Sequence, residues 1–346
     1  MRMRFMAIKK QFLLTVSIGL LLVLTACLPD EGLTSLLPDP IKPVTADPTP
    51  GIVFVTTRHV ERDIGLHQNW ELYLVQPDGT GLTRLTENDR VDTSPSWSPD
   101  GRQITFRSRV DGSADIFVMD ANGQNWRNLV KDPEDSIFDE FYPEWNPQRE
   151  MIALYTDRFY SPEVGCAWHR LAIMPLSGGA DNIQVLEDPL TEQETLGWAP
   201  DGRHLAFSSR CDMAQEQAVE LFEWDIDTGE VIQLTDDGNI NASPAYSHDG
   251  RYLAYQSVHP DASADIFVLD LETGEIANLT NNPQFKDSHP TWSPDDSQMA
   301  FVSDRDGNDE IYVIDVILEP FASSANPVNI TKHPSKDFEP AWSPAP

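Results

Sequence analysis

Cysteines, basic residues and long apolar runs are all scarce in this sequence of 346 residues. The chain has only three cysteines, which excludes a small scaffold held together by many disulfides. Lys and Arg number 24 against 56 Asp and Glu, giving a formal net charge of −32. So acidic a chain repels polyanions, which excludes a basic groove for DNA or RNA. It attracts cations instead, although a solvated acidic surface without a ligand is the plainer interpretation.

Motifs for the common hydrolytic and nucleotide-dependent reactions are missing as well. The sequence contains no G-x-S-x-G nucleophile elbow, no phosphate-binding loop and no H-E-x-x-H zinc motif. These absences remove the main sequence arguments for catalysis. The sequence therefore predicts a protein that is not an enzyme.

The single long apolar run covers residues 12–24 and follows a basic stretch. It is short for a membrane-spanning helix and ends in Leu24-Thr25-Ala26-Cys27, which is typical of a secretory leader. The tetrapeptide resembles the lipobox of bacterial lipoproteins. That resemblance implies a signal peptide over residues 1–26 and a lipid on Cys27, where each buried CH₂ contributes about 0.8 kcal/mol to anchoring. An ordinary secretory leader with an incidental cysteine is the alternative.

Residues 27–50 come next and contain six prolines with little periodicity. This composition predicts an extended tether between a membrane and the rest of the chain. The leader carries four of the 24 bases and no acid, so the remaining chain has 20 bases against 56 acids, a net charge of −36. We expect an exported, membrane-anchored lipoprotein on the periplasmic or extracellular face.

The rest of the chain repeats a short pattern, with Pro95-Ser-Trp-Ser-Pro-Asp-Gly-Arg102 as one of its clearest copies. Weaker copies replace the first proline or the aromatic residue. The central aromatic residue recurs every 46 to 53 residues, at Trp97, Trp145, Trp198, Tyr246, Trp292 and Trp342. A Pro-Asp-Gly turn and an alternating strand such as Gln103-Ile-Thr-Phe-Arg-Ser108 follow it. This period and strand content are typical of β-propeller blades.

The two ends of the repeat region complement one another. The region opens at residues 52–58 with what corresponds to the second strand of a blade, and it closes at residues 340–344 with a first strand. Joining the two would complete one blade and remove a free sheet edge. We therefore predict that residues 51–346 form an all-β, six-bladed propeller of four-stranded antiparallel blades, closed by the C-terminal strand.

This pattern resembles the propeller of the TolB family, which is built from WD40-like repeats, over about residues 51–344. The resemblance implies the same ring fold and a role in maintenance of, or transport across, the cell envelope. TolB proteins have an α/β domain ahead of the propeller. We expect that domain to be lacking here, because residues 27–50 are predicted to form a tether.

The repeats also separate architectural positions from singular ones. The recurring aromatic residues are expected to pack between blades. Two polar sets recur near one rim: an arginine after the second strand, and a polar residue three positions before the repeat proline. We expect structural ion pairs and hydrogen bonds between Arg58, Arg109, Arg158, Arg210 or Arg305 and Asp92, Glu140, Gln193, Asn241, Asp287 or Asp337.

Longer loops, over residues 59–70, 158–169, 210–219 and 283–289, should gather on the face opposite the short turns. Binding residues are often found on long loops held by a rigid scaffold. The candidate contacts there are His59, His67, His169, His259 and His289, with His333 in a nearby loop. A transition metal held by these histidines is an alternative, although no fixed spacing matches a metal motif.

Two smaller features complete the candidate sites. Residues 303–310, Ser-Asp-Arg-Asp-Gly-Asn-Asp-Glu, look superficially like a calcium loop but lack the EF-hand spacing. A hairpin turn is the main interpretation and calcium the alternative; no other cofactor is expected. Cys166 and Cys211 lie in corresponding loops of adjacent blades, and an exported chain meets an oxidising compartment. We predict a disulfide between them.

Taken together, these features predict a monomeric, non-catalytic module anchored at the envelope that binds a protein or peptide through its long-loop face. One alternative is a carbohydrate-binding or metal-dependent carbohydrate-cleaving propeller. A second is a periplasmic TolB-like component of envelope maintenance or transport. A third is a receptor for small ligands in the central channel.

Overall fold

The computed structural model of the protein describes residues 50–58, 69–110, 112–130, 138–158, 169–186, 195–209, 218–259, 263–318, 321–323 and 326–345.

The described residues form six antiparallel sheets, each one blade of a propeller. From the innermost strand outwards, blade 1 consists of β25 (Asp337–Trp342), β1 (Ile52–Thr56), β2 (Glu71–Val75) and β3 (Thr83–Arg84); blade 2 of β4 (Asp92–Trp97), β5 (Gln103–Val110), β6 (Ser113–Asp120) and β7 (Arg127–Asn128); blade 3 of β8 (Glu140–Trp145), β9 (Met151–Thr156), β10 (Arg170–Pro175) and β11 (Gln184–Val185).

The second half of the ring follows the same plan. Blade 4 consists of β12 (Leu196–Trp198), β13 (His204–Ser209), β14 (Glu220–Asp225) and β15 (Val231–Gln233); blade 5 of β16 (Ile240–Tyr246), β17 (Tyr252–Val258), β18 (Ala264–Asp270) and β19 (Ile276–Asn278); blade 6 of β20 (Asp287–Trp292), β21 (Gln298–Ser303), β22 (Glu310–Leu318) and β24 (Val328–Asn329). A short strand, β23 (Phe321–Ser323), pairs with the end of β22 and extends blade 6. A 3₁₀ helix at Ala180–Asn182 precedes β11.

The ring closes between the two ends of the repeat region. Strand β25 pairs antiparallel with β1, so that Trp342 lies opposite Ile52 and Asp337 opposite Thr56. A backbone hydrogen bond from Ser343 N to the Gly51 carbonyl, at 2.8 Å, extends the pairing. The predicted six-bladed ring and its closure by the C-terminal strand are confirmed.

The repeat tryptophans join neighbouring blades. The indole N–H of Trp97 in blade 2 donates to the backbone carbonyl of Ala341 in blade 1, at 3.1 Å. Trp198 donates in the same way to Glu144 of blade 3, and Trp292 to Ala245 of blade 5. Their rings are buried among apolar side chains from both blades. In these three residues the arrangement satisfies the polar atom that a buried tryptophan carries, whereas Trp145 Nε1 is buried without a partner among the described residues. The predicted packing between blades is confirmed.

The two faces of the ring differ in their connections. Tight turns between first and second strands, such as residues 98–103, lie on one face together with the turns between third and outer strands, such as residues 120–124. We call this the turn face. Asp92, at the start of β4, lies at the opposite end of the same strand, on what we call the loop face. The first strands therefore run from the loop face to the turn face along the centre of the ring.

Candidate binding site in the central channel

The six innermost strands enclose a central channel of about 450 Å³. Each blade contributes the residues around its repeat proline and aromatic residue, as at Pro95 and Trp97 of blade 2. A cavity of this size falls within the usual range for binding sites in proteins. The channel is therefore the principal candidate site among the described residues.

A β-bulge shapes the channel wall at the same position in most blades. In blade 2 the register of β4 against β5 shifts between Thr93 and Ser96, and Ser94 takes a φ of +52°. Bulges re-aim a side chain, and a positive φ costs a residue other than glycine about 1–3 kcal/mol. Because the bulge recurs in most blades, we interpret it as a feature of the fold and not as a local irregularity. The residues three positions before the repeat aromatic residues form what we call the bulge ring: Ser94, Tyr142, Thr195, Ser243, His289 and Glu339, of which all but Thr195 have positive φ.

The residue type varies from blade to blade within the bulge ring, whereas the neighbouring prolines and aromatic residues mostly repeat. Hydrogen bonds connect some of its members across blade boundaries. Glu339 Oε2 of blade 1 accepts from the backbone N–H of Ser94 in blade 2, at 2.7 Å. Thr195 Oγ1 of blade 4 accepts from the N–H of Ser243 in blade 5, at 2.6 Å. Because a purely architectural position would repeat, the variation points to recognition of a ligand without sixfold symmetry.

Four titratable side chains on the channel wall have shifted pKa values, and one of them is Tyr246, whose pKa is raised by burial. Burial lowers the pKa of His289 to about 4, so its ring is neutral at pH 7, and its Nδ1 has no hydrogen-bond partner among the described residues. Burial raises the pKa of Glu144, two residues beyond the ring, to about 8, against an opposing hydrogen bond from Ser96. Burial also raises the pKa of Glu339. The channel thus carries less negative charge at neutral pH than its carboxyl groups suggest.

Buried ion pairs lie at the loop face, where the two polar sets were expected to meet. Arg58 Nη2 lies 2.8 Å from Asp337 Oδ2, and Arg305 Nη2 lies 2.9 Å from Asp287 Oδ1. Arg158 pairs with Glu140 in the same manner. Each of these arginines lies two residues after the Ser or Thr that ends its second strand. The three acidic side chains are fully buried, so these pairs belong to the architecture of the rim.

Arg109 does not join the predicted set of rim pairs, because its ion-pair partner, Asp139, lies outside the predicted acidic positions. Arg109 follows Ser108 by one residue instead of two, and one step along a strand moves a side chain to the other face of the sheet. Its guanidinium is half exposed and lies 3.6 Å from Asp139. Asp92 instead accepts hydrogen bonds from Ser108, at 2.6 Å, and Asn88, at 2.7 Å. Arg210 and Gln193 lie outside the described residues.

The candidate histidines are separated from one another in the structure. The ring of His169 packs edge-on against Phe141, with centroids 4.5 Å apart. His259 Nε2 lies 3.4 Å from Asp265, and only His289 of the candidate set lines the channel. His333 Nδ1 accepts from the backbone of Ser335. Across the described ranges, no three His, Cys, Asp or Glu side chains are grouped to hold a metal ion. His59 and His67 lie outside those ranges.

The segment considered for calcium is a hairpin turn between β21 and β22, as its main interpretation predicted. Its carboxylates are engaged by protein donors. Asp304 accepts from the backbone N–H of Lys286, and Asp306 accepts from Tyr312 and Asn329. Cys27, Cys166 and Cys211, the residues expected to carry a lipid and a disulfide, all lie outside the described residues.

The ring fold and the repeat pattern agree with comparisons to known proteins. The profile of the TolB β-propeller domain matches residues 60–216 and 211–345, so the chain belongs to this family. Solved TolB from Acinetobacter baumannii has a TM-score of 0.66 at 19% identity, over 87% of this chain and 68% of that one. Among the described residues, no helix is long and apolar enough to cross a membrane.

Two curated relatives differ in the kind of protein they represent. Dipeptidyl-peptidase 5 of Porphyromonas endodontalis is 24% identical over 228 residues, which are 55% of this chain and 33% of that protein. The Tol-Pal system protein TolB of Syntrophus aciditrophicus is 42% identical over 55 residues, or 16% of this chain and 12% of that protein. The matched regions thus cover a third or less of the length of these two relatives.

Proposed function

We propose that this protein is a non-catalytic interaction module of the cell envelope. It binds a segment of a protein partner at the loop-face end of the central channel. The observation that carries this proposal is the bulge ring, whose members differ from blade to blade within a repeated wall. A rigid ring that presents side chains of five types at one end of a channel suits recognition of an irregular polypeptide segment.

The hydroxyl groups along the channel support a binding role over a hydrolytic one. A nucleophilic serine needs a neighbouring base, most often histidine. The hydroxyls of Ser98 and Ser247 instead donate to Asp100 and Asp249, at 2.7 and 2.6 Å. The hydroxyl of Ser94 lies 3.5 Å from Glu339. Within the described part of the chain, no channel serine is hydrogen-bonded to a histidine, which supports the binding role.

The envelope location rests on the leader and on the Tol-Pal system relative. A lipid on Cys27 would hold the propeller at a membrane surface and raise its local concentration near envelope proteins. Labelling of growing cells with a palmitate analogue is expected to mark the full chain, and Cys27→Ser is expected to abolish the label. An unlabelled wild-type protein would contradict the anchor.

Site-specific photocrosslinking tests the binding face. A benzoylphenylalanine is placed at Ser243, on the channel wall, and in a matched variant at Ser297, which is exposed on the turn face. In cells that produce the full chain, we expect a discrete protein adduct from position 243 and none of that mass from position 297. Adducts from position 297 alone, or from neither position, would contradict the proposal.

A further inference from the structure

Arg107 is a charged side chain at a position that other blades fill with neutral residues. The corresponding residues precede a Ser or Thr at or near the end of each second strand and are Val55, Tyr155, Ser208, Gln256 and Val302. Arg107 makes no hydrogen bond or ion pair with any residue that the structure describes, and its Nε is buried without a partner. Arg107 as a whole is half-buried, so only this one N–H is both buried and unpaired, which is costly and would be relieved by an acceptor from a ligand.

The location of Arg107 connects it to the loop-face end of the channel. On β5 it lies opposite Thr93, the neighbour of Ser94 in the bulge ring. Its charge interacts with Tyr142 of blade 3 and Glu339 of blade 1, the members of that ring in the blades on either side. Among the charged groups, Asp139 acts on it most strongly and Arg109 next, both ahead of Tyr142 and Glu339. Arg107 therefore lies on the second strand of blade 2 beside the bulge ring, although it is not among the residues that line the channel.

The guanidinium of Arg107 is also held in place. Its central carbon lies 4.7 Å from the centroid of the Phe141 ring. A cation–π contact at this distance restrains the guanidinium, whose N–H donors lie within its own plane. Two parallel in-plane donors match the two oxygens of a carboxylate. The in-plane donors of Arg107 thus suit a planar anion.

We infer that Arg107 is a carboxylate-binding subsite for the partner segment, which it engages through a C-terminal carboxylate or an acidic side chain. This inference rests on the proposed function. A single carboxylate is favoured over a strongly acidic segment, because the chain has a net charge of −32 and repels polyanions. Arg107 would then determine which segment of the partner enters the channel and in which direction.

The test begins with selection of random peptides against the full chain. Half of the library carries a free C-terminus and half an amidated one. Selected peptides are retained only if Ser243→Tyr weakens their binding. That variant fills the channel from blade 5, which lies across the ring from blade 2, and Tyr142 already occupies the corresponding position at a similar φ, +49° against +55°.

Double-mutant cycles on the retained peptides then test the contact. We expect Arg107→Gln to weaken binding about 10- to 100-fold, as loss of a charge-assisted hydrogen bond does. Neutralising the critical peptide carboxylate should weaken binding to the wild type by a similar factor and have little further effect on Arg107→Gln. Amidation removes the C-terminal carboxylate of the peptide, and replacement of its Asp or Glu residues removes the side-chain carboxylates. Comparing the two changes distinguishes the two carboxylate sources. Arg102→Gln, which removes an equal charge at an 85% exposed side chain of the turn face, is the matched control and should leave the affinity unchanged.

Two contradicting outcomes are distinguishable. If the selected peptides bind Ser243→Tyr with the same affinity as the wild type, the proposed function and the inference are both overturned. Peptides that need the open channel but bind Arg107→Gln as tightly as the wild type would overturn the inference alone. Because blade 5 carries Gln256 at the corresponding position, the fold tolerates glutamine there, and an unchanged thermal unfolding midpoint for Arg107→Gln verifies this.

Discussion

Replacing Arg58 tests whether a buried ion pair stabilises the closed ring. Arg58 follows β1, whereas its partner Asp337 begins β25, so the pair joins the two ends of the repeat region. The side chains are 4% and 0% exposed, and the charged atoms lie 2.8 Å apart. In Arg58→Gln, the Asp337 carboxylate would stay buried without its cation. Breaking a buried pair in this way costs about 3–5 kcal/mol.

Urea unfolding, followed by tryptophan fluorescence, measures this loss. We expect the free energy of unfolding to fall by about 3–5 kcal/mol in Arg58→Gln and to change by less than about 0.5 kcal/mol in Arg102→Gln, whose side chain is exposed. Arg58→Met combined with Asp337→Leu removes both charges and should recover most of the loss. A loss below about 1 kcal/mol in Arg58→Gln would refute the reasoning, because solvent would then be screening the pair.

Three further predictions concern the channel and the loops. The folded-state pKa of Glu144, about 8, exceeds its ordinary value of 4.5, so its contribution to stability is present below pH 4.5 and is lost as the pH rises through 8. Glu144→Gln should therefore flatten the fall in stability over that range in pH-dependent urea unfolding, and an unaltered profile would contradict the burial of this carboxyl. Gly197→Ala should destabilise the fold by about 1–3 kcal/mol through overpacking, since a Cβ there would lie 2.3 Å from the Pro244 carbonyl oxygen; a neutral effect on the thermal midpoint would show that blades 4 and 5 are not packed so closely. Intact-mass measurement with and without reductant should reveal one disulfide joining Cys166 and Cys211, and free thiols on both residues in the native protein would exclude it.

The ring fold could be predicted because its architecture repeats in the sequence. The aromatic positions from Trp97 to Trp342 determined the blade count, because an aromatic residue at this position packs between blades and therefore recurs in each one. The strand at Ile52 revealed the closure because it lacked a first strand of its own. The rim pair of Arg58 with Asp337 follows from the same repetition, whereas Arg109 was assigned to this set although it lies one residue out of phase.

The candidate site was harder to predict, since it depends on backbone geometry that leaves little trace in the residue types. Glycine is the usual sequence signal for a positive φ, but Ser94, Tyr142 and His289 have a positive φ without being glycine. In the blades that have the bulge, the change in strand register places these residues on the channel wall. The signal that could have found them is their variability beside a repeated proline. Arg107 could have been found similarly, as the one cation among neutral residues at its strand position.

The most direct test of the central claim is the affinity of the crosslinked partner segment for two variants of the full chain. Synthetic peptide covering that segment is titrated against wild type, Ser243→Tyr and Ser297→Tyr by calorimetry. Binding at the loop-face end of the channel predicts a Kd at least about tenfold weaker for Ser243→Tyr, a loss of about 1.4 kcal/mol, and an unchanged Kd for Ser297→Tyr. Equal affinity for Ser243→Tyr and wild type would contradict the claim.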